Sequence, residues 1–454
     1  MKKFALLYQF LATFTALLTV VTSGIHEAWT SVYIPQMLNG TDTIKITSSE
    51  GSWITLSMNV GGLIGCILTS LLADQCGRKK TILITAFPFF ASSIILAYAG
   101  SVIVFCLARI ISGVASGMAI AVIPHYIGEI ADPNVRGTLG TFITISNLIG
   151  FLFINIVGTF LSITTSSLIS CAIPILLLLT FVWMPESPYY LIMRGKLDQA
   201  QNALKKLKGR NDVREEFDDL RDTVVTQIKN KGNVRELFTK KSNRNALLIV
   251  FILLNGKQLT GIGPIDAYAQ LIFEEIFDTL SPLLITLIYY FTRLVMVIVS
   301  SFLTDRVGRR PMLFVSFFGS FLSLFLLSCF LYVKNHNLVD TSHYAFLPIL
   351  FLEGFAVFYS LLTSIPLSVL GELFPMNVKV FASIFYEVYL YAITLSVIKC
   401  FQVMSDNFGM ESAFLTFSLS CLVHLFFIYK FVLETKGRTL NEIQKYLHCG
   451  LTRK

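Results

Sequence analysis

Long apolar segments alternate with short polar ones through the whole chain and predict a bundle of membrane-spanning helices. At about 1.5 Å per helical residue each segment can cross a hydrocarbon core of about 30 Å, the longer ones by tilting or by extending into the headgroups. Six segments precede one long polar stretch and six follow it. They cover residues 4–33, 53–73, 81–99, 102–124, 138–161, 166–183, 246–273, 283–304, 311–333, 344–370, 380–404 and 412–431.

A short motif after the second segment returns after the eighth. Residues 74–80 read DQCGRKK, residues 305–310 read DRVGRR, and each copy stands between two apolar segments. An acidic residue, a glycine and a basic cluster in that setting predict a tight loop between two membrane helices, with its basic residues at the cytoplasmic surface. Two copies at corresponding places indicate that the chain consists of two related halves.

The composition agrees with a membrane protein and argues against other classes. Of the 454 residues 54% are hydrophobic and 14% charged, and the mean hydropathy of +0.69 exceeds that of a soluble domain. The formal charge of +8 does not indicate nucleic acid, because no basic patch is interleaved with aromatic residues. The eight cysteines stand singly, and no zinc, phosphate-binding or nucleophile motif is present. We therefore expect no enzyme, no cofactor and no bound metal.

The Lys and Arg residues between the segments predict the orientation of the chain. They lie in alternate loops, at residues 78–80, 136, 194–244, 306–310 and 379 and in the tail, whereas the other loops hold only Lys45 and Lys334. By the positive-inside rule both termini are cytoplasmic. The sequon at Asn39 then lies in the first external loop and is a candidate glycosylation site. The first apolar segment is longer than the core of a signal peptide, so we expect a retained helix.

The polar stretch in the middle predicts short amphipathic helices on the cytoplasmic side. Apolar residues recur at helical spacing, at positions 197, 200, 204 and 207 and again at 217, 220, 224 and 228, among charges of both signs. Most of these charges belong to a solvated linker between the two bundles. The predicted domains are a first six-helix bundle (1–183), a cytoplasmic linker (184–245), a second six-helix bundle (246–432) and a cytoplasmic tail (433–454).

A series of ordered motifs gives the chain a resemblance to a known family. Besides the two loop motifs they are Arg109 with Gly113 and Gly117, PHYIGEI at 124–130, VRGTLG at 135–140, PESP at 185–188, QLTGI at 258–262, GELFP at 371–375 and ETKGR at 434–438. Over nearly its whole length the chain resembles the sugar-porter branch of the major facilitator superfamily, most of all insect-type facilitators of trehalose and hexoses. The resemblance implies an all-α fold of twelve transmembrane helices in two six-helix bundles around a central cavity, which works by alternating access.

Charged residues repeated in the two halves predict a cytoplasmic gate. Glu129 and Arg136 stand seven residues apart, and Glu372 and Lys379 repeat that spacing in the other half. Such carboxylates and cations can pair across the halves and hold the cytoplasmic side shut while the outside is open. The alternative is simple anchoring by interfacial charges. The predicted gate network comprises Asp74, Arg78, Glu129, Arg136, Glu186, Asp305, Arg309, Glu372, Lys379 and Glu434.

The resemblance also marks cavity positions, several of which depart from the family. Gln258 is kept, but Lys257 stands in place of a Gln and Arg293 in place of an Asn. We expect Glu387 to point into the same cavity and to pair with Lys257 or Arg293, because buried cations need a partner. Internal ion pairing or a position near a helix end is the alternative for such charges. The candidate substrate-binding residues are Thr30, Thr144, Lys257, Gln258, Tyr268, Arg293, Tyr359 and Glu387.

These observations predict a carrier in the cell membrane that moves a sugar, such as trehalose or a hexose, down its gradient. Proton-coupled members of the family carry an Asp on the first helix, where this chain has Thr30, so we expect no proton coupling. Two alternatives remain, a carrier of an anionic or other small solute and a sugar sensor that does not transport. The expected partners are the substrate and the lipid bilayer, without nucleic acid, and the sequence leaves the oligomeric state open.

Overall fold

A computed structural model of the chain describes residues 2–40, 44–229, 232–277, 281–339, 344 and 346–449. The first half contains α1 (Lys2–Asn39), α2 (Ser48–Cys76), α3 (Arg78–Ala97), α4 (Val102–Ile130), α5 (Pro133–Phe160), α6 (Ile163–Ser170) and α7 (Ala172–Phe181). The linker holds α8 (Pro188–Met193), α9 (Leu197–Lys208), α10 (Arg214–Lys229) and α11 (Arg235–Thr239). The second half contains α12 (Lys241–Gln258), α13 (Ile262–Ala267), α14 (Ala269–Ile276), α15 (Pro282–Val307), α16 (Arg309–Asn335), α17 (Leu347–Leu362), α18 (Ile365–Leu373), α19 (Met376–Phe408) and α20 (Met410–Phe431), and α21 (Leu440–Cys449) comes after it.

The helices confirm the predicted all-α membrane fold. Within the described ranges eleven helical spans are long and apolar enough to cross a membrane, two of them formed by the consecutive pairs α6–α7 and α17–α18. Large apolar side chains such as Phe87, Leu179, Phe302 and Phe426 are more than half exposed on the outer surface. Apolar surface of this extent is the surface that contacts lipid. The chain is a multi-pass membrane protein.

The predicted segment 246–273 is not one helix but three. Helix α12 ends at Gln258, and Gly261 lies just beyond it with a φ of +82°, a conformation that side-chain-bearing residues rarely adopt. A second break at Tyr268 separates α13 from α14. Hydropathy did not predict these breaks, because it does not depend on the backbone angle of one glycine. Irregular backbone at membrane depth is tolerated where it is buried in protein or lines a cavity.

Small residues allow the helices within a half to approach closely. A Cβ atom on Gly61 of α2 would overlap the backbone oxygen of Ile110 of α4, and one on Gly113 of α4 would overlap that of Met58 of α2. Helices in lipid gain their contact energy from such close backbone packing, since no water is released between them. The motif glycines of α4 are therefore packing residues.

The bundle has two faces, one at each end of its helices. The terminal face is the one at which α1 begins and α21 lies, and it also carries the turns at Gly77 and Gly308. The opposite face carries the end of α1 at Asn39 and the turns around residues 98–101 and 161–162. Asn39 is exposed, as glycosylation requires, but Thr41 of its sequon lies outside the described residues.

The linker docks on the first half at the terminal face. The side chain of Gln9 in α1 donates to the backbone oxygen of Leu207 at 3.2 Å and accepts from the backbone N–H of Asp132 at 3.0 Å, and Lys208 forms an ion pair with Asp132. Partial burial raises the pKa of the Asp132 carboxyl, but hydrogen bonds from Lys208 and Gln9 outweigh it and hold the pKa below its usual range. Helices α8 to α10 close a small apolar core of their own around Leu191.

Candidate functional site

The two halves are joined at the opposite face. The side-chain amide of Gln270 in α14 donates to Asn155 of α5 at 3.0 Å, and its backbone N–H donates to Ser31 of α1 at 3.3 Å. Farther from the centre, Ser48 of α2 donates to both carboxylate oxygens of Asp406 of α19, at 3.1 and 3.0 Å. All of these bonds connect the first half to the second, so the seam between the halves is closed on this side.

At the terminal face the gate residues pair within their own halves. Arg78 contacts Glu129 at 3.1 Å and Asp74 at 3.5 Å, and Arg309 contacts Glu372 at 3.0 Å in the second half. Among the side chains that the structure describes, no ion pair joins the two halves. The side chain of Asp305, another acid of the predicted network, lies outside that set. The cross-half pairs predicted for the state that is open to the outside stay a prediction, since in this structure the acids pair within their own halves.

Each half also holds charges that lack a full set of partners. Glu129 and Glu372 each keep one buried carboxylate oxygen without a hydrogen-bond partner. Arg136 and Lys379 donate to backbone oxygens of their own halves, at 3.4 and 3.0 Å, and lie near enough across the seam to repel each other. Unused acceptors and cations without an acidic partner, among the described residues, therefore stand at the same face of both halves.

Two further carboxylates of the predicted network hold the loop motifs in shape. Glu186 accepts from the backbone N–H of Lys79 at 3.0 Å, and Glu434 accepts from those of Arg309 and Arg310 at 3.1 and 2.9 Å. A carboxylate at a helix N-terminus satisfies N–H groups that have no partner within the helix and opposes the positive end of the helix dipole. Each motif turns at a glycine with positive φ, +96° and +108°, and a Cβ there would contact the capping carboxylate. In this structure the two acids therefore cap the loop motifs, and their part in a gate stays a prediction.

A buried ion pair occupies the centre of the second half. Arg293 of α15 pairs with Asp266 of α13, and only 7% and 12% of their side chains are exposed. The guanidinium also lies 5.4 Å from the ring centre of Tyr359, 5.6 Å from that of Tyr289 and 5.8 Å from that of Tyr290. A carboxylate and three ring faces stabilise a cation that would otherwise be costly at this depth. We expected Glu387 to pair with Lys257 or Arg293, but Arg293 pairs with Asp266, which the break in α12–α14 brings to it.

The centre of the first half is held by Arg109. Its guanidinium donates to the backbone oxygen of His26 and lies 5.7 Å from the ring centre of Trp29. The ring nitrogens of His26 contact the Thr22 backbone oxygen at 3.0 Å and Ser93 at 3.2 Å, so this histidine is a packed residue. Thr30 is fully buried, and its hydroxyl donates to the backbone oxygen of Glu27 at 3.4 Å. Glu27 in turn accepts from Asn147 at 3.2 Å.

Lys257, Gln258 and Glu387 lie at the seam but are not directly bonded to one another. Lys257 donates to the backbone oxygen of Thr363 over a long 3.5 Å. Glu387 is 8% exposed, one of its buried carboxylate oxygens has no partner, and no cation among the described residues is at salt-bridge distance. The prediction that Glu387 pairs directly with Lys257 is therefore wrong, although the two interact electrostatically. The reason is the rotation of α19. Tyr391 lies one turn farther along, on the same face as Glu387, and its packing on α2 fixes how that face is oriented.

The other predicted cavity residues are dispersed. Thr144 is half-buried on α5. Tyr268 lies toward the opposite face, with its ring stacked on Phe401 at 6.1 Å and its hydroxyl without a partner. Sequence reasoning missed Gln270 and Asn155, which close the seam, because neutral amides in an apolar segment carry no signal of where they point.

Comparisons with known proteins agree with this architecture. The family model described as "Sugar (and other) transporter" matches residues 4–447. A facilitated trehalose transporter homolog of Drosophila sechellia is 32% identical over 445 residues, covering 96% of this chain and 90% of the relative. A facilitated trehalose transporter of Culex quinquefasciatus is 31% identical over 453 residues, covering 98% and 87%. Among solved structures, the inward open xylose transporter from E. coli superimposes with a TM-score of 0.78 at 22% identity, over 97% of this chain and 100% of that one.

Proposed function

The chain belongs to the sugar transporter family and has the major facilitator fold, and on that premise we propose that it moves a neutral sugar, trehalose or a hexose, across the cell membrane by facilitated diffusion. Two insect relatives are named facilitated trehalose transporters and match over nearly their whole length. The family moves solutes without changing them, which agrees with the lack of catalytic motifs in the sequence.

The orientation we propose places the terminal face in the cytoplasm. The support is the distribution of Lys and Arg, since the loops of the terminal face are basic and those of the opposite face hold few cations. With that orientation the present conformation is closed to the outside. A glycan on Asn39, on the opposite face, would then lie outside the cell.

Alternating access follows from the way the charges are distributed between the halves. In the present state the outer seam is bonded through Gln270, and the cytoplasmic acids pair within their halves. Rocking of the halves would break the outer bonds and bring the unused oxygens of Glu129 and Glu372 toward Lys379 and Arg136 of the other half. Charge-assisted bonds formed in that state would close the cytoplasmic side. Each state thus has its own set of bonds, as a two-state carrier requires.

A neutral solute is favoured because Arg293 is already paired with Asp266 and Lys257 lies within electrostatic reach of Glu387. Arg293 in an apolar cavity would attract an anion, but Asp266 and three tyrosine rings occupy its surroundings. Lys257, Gln258 and Glu387 then supply donors and acceptors that are only partly used. Sugar hydroxyls both donate and accept, and hydrogen bonds to charged groups are about twice as strong as neutral ones. These residues are our proposed sugar contacts.

Uptake into vesicles that contain the purified protein tests the proposal. We expect saturable uptake of labelled trehalose or glucose, no uptake of a panel of small anions, and no effect of a protonophore, because Thr30 cannot titrate in the physiological range. Lys257→Gln and Glu387→Gln should each raise the KM for the sugar, whereas Lys80→Gln, an exposed cation of the terminal face, should not. Sugar binding without flux would identify a sensor, and anion uptake would identify the alternative carrier.

A further inference from the structure

A basic pocket lies at the terminal face of the second half, away from the transport path. It has a volume of about 110 Å³ and is walled by the end of α20 and by α21. Three of its lining residues are cations, Arg310, Lys430 and Arg438, and two are tyrosines, Tyr429 and Tyr446. The volume has room for several waters, and therefore for a small polar group.

The protein balances the positive charge of the pocket only in part, through Glu434 in its wall and Glu442 near Arg438. Within the described residues none of Arg310, Lys430 and Arg438 takes part in an ion pair. The one acid in the pocket wall, Glu434, is occupied by backbone N–H groups, including that of Lys436 at 2.9 Å. The buried Nε of Arg310 has no hydrogen-bond partner. A buried donor without a partner and three cations around one acid favour an anionic occupant.

The two halves differ at this place, so the repeat itself does not require the cations. In the first half Lys79 donates to the backbone oxygen of Val182 at 2.6 Å, just as Arg310 donates to that of Tyr429 at 2.7 Å. Aligning Glu186 with Glu434 places Val182 at the position of Lys430 and Tyr190 at that of Arg438. A cation that donates to the end of the last helix, Lys79 or Arg310, is therefore present in both halves. The cations Lys430 and Arg438 are present only in the second half.

The pocket lies where the lipid-facing surface of the second half ends. Lys430 is in the last turn of α20, and its ammonium is 5.9 Å from the ring centre of Phe426 and 5.3 Å from that of Phe431. Phe426 and Val423 on the same helix are exposed to the surroundings of the bundle. Tyr429 is exposed beside them, as aromatic residues are at the edge of a bilayer. A phospholipid headgroup at this level could reach the pocket while its chains remained in the hydrocarbon.

We propose that this pocket binds a phosphate group, carried by an anionic phospholipid headgroup or by a soluble phosphate compound. The guanidinium groups of Arg310 and Arg438 supply directional donors, and Lys430 supplies a point charge. The bound phosphate joins the end of α20 to α21 and to the loop motif at Arg310. It therefore acts on the gate side of the protein without touching the sugar.

The test compares the purified full-length protein with Lys430→Gln/Arg438→Gln. The matched control is Lys80→Gln/Lys241→Gln, which removes two exposed cations from the same face outside the pocket. One arm uses nanodiscs of phosphatidylcholine with and without phosphatidic acid, and the other adds inorganic phosphate or inositol hexakisphosphate in detergent. In each arm we measure the shift in melting temperature and the affinity of the protein for the phosphatidic acid, inorganic phosphate or inositol hexakisphosphate that was added.

We expect phosphatidic acid, the soluble phosphate compounds or both to stabilise the wild type and the control equally. The double variant should bind the same compound about thirtyfold more weakly. A response to phosphatidic acid alone identifies a lipid headgroup, and a response to the soluble compounds identifies a free phosphate. The unliganded melting temperature checks that the double variant folds, and Arg438→Gln alone serves if it does not. Equal responses of the wild type and the pocket variant, or no response in either arm, would overturn the proposal.

Discussion

Removing the acid of the buried Arg293–Asp266 pair is the sharpest test of how the central charges are stabilised. Asp266→Asn keeps the size of the side chain but leaves Arg293 without a counter-ion at a place where only 7% of its side chain is exposed. Breaking a buried pair from one side costs about 3–5 kcal/mol. Three tyrosine rings within 5.8 Å remain and stabilise the cation, so we expect a loss of stability near the lower end, about 3 kcal/mol.

The double variant Asp266→Asn/Arg293→Gln removes both charges and should be more stable than Asp266→Asn alone by about 1–2 kcal/mol. Thermal unfolding in detergent can resolve this difference, because about 1–2 kcal/mol corresponds to roughly 2–8 °C for halves of this size. Glu236→Gln is the control, since it breaks the exposed pair with Lys240 and should leave the melting temperature unchanged. If single and double variants melt at the same temperature, the pair does not stabilise Arg293 and the reasoning is refuted.

Three other predictions concern the two faces. Gln270→Leu removes the bond to Asn155 and should favour the outward-open state. A cysteine placed at Ser405 should then be alkylated faster from outside. Unchanged alkylation would contradict the claim that this bond holds the outer seam closed. Glu372→Gln should slow sugar exchange about tenfold at an equal amount of surface protein. The reason is that a loss of about 1.4 kcal/mol from one state shifts the equilibrium between the two conformations by that factor. Normal exchange would leave anchoring as the role of this acid. The pKa of Asp132 is lowered in the folded protein, so its contribution to stability is complete above its unfolded pKa of about 3.9 and is lost as the pH falls through the folded value. Asp132→Asn should therefore increase hydrogen exchange in α9, relative to the wild type, equally from pH 5 to 8. A difference between variant and wild type that changed over that range would contradict this.

Sequence reasoning predicted the eleven spans that the described residues form and the two loop motifs, but not the break in segment 246–273 or the contacts of the central charges. Spans follow from length and hydropathy, and the loop motifs recur as local sequence, so both are visible without the fold. The partner of Arg293 depends on the break at Gly261, which turns Asp266 toward α15. A hydropathy profile gives no information on the backbone angle at Gly261. The three-residue spacing predicted that Glu387 shares a face of α19 with Leu390 but not how the helix is rotated. The packing of Tyr391 on Gly62 sets that rotation, which leaves Glu387 without an ion pair among the described residues. Helix faces are predictable from sequence only when the rotation of the helix is known.

Counterflow in sealed vesicles tests facilitated sugar transport most directly. Vesicles loaded with unlabelled trehalose, and in a second series with glucose, are diluted into a trace of the labelled sugar with no ion gradient and with a protonophore present. The proposed carrier predicts a transient accumulation of label that decays to the external concentration, because exchange needs only the alternation of the two states. No transient with either sugar in vesicles that hold folded protein, or one that requires a proton gradient, would contradict facilitated transport of a neutral sugar.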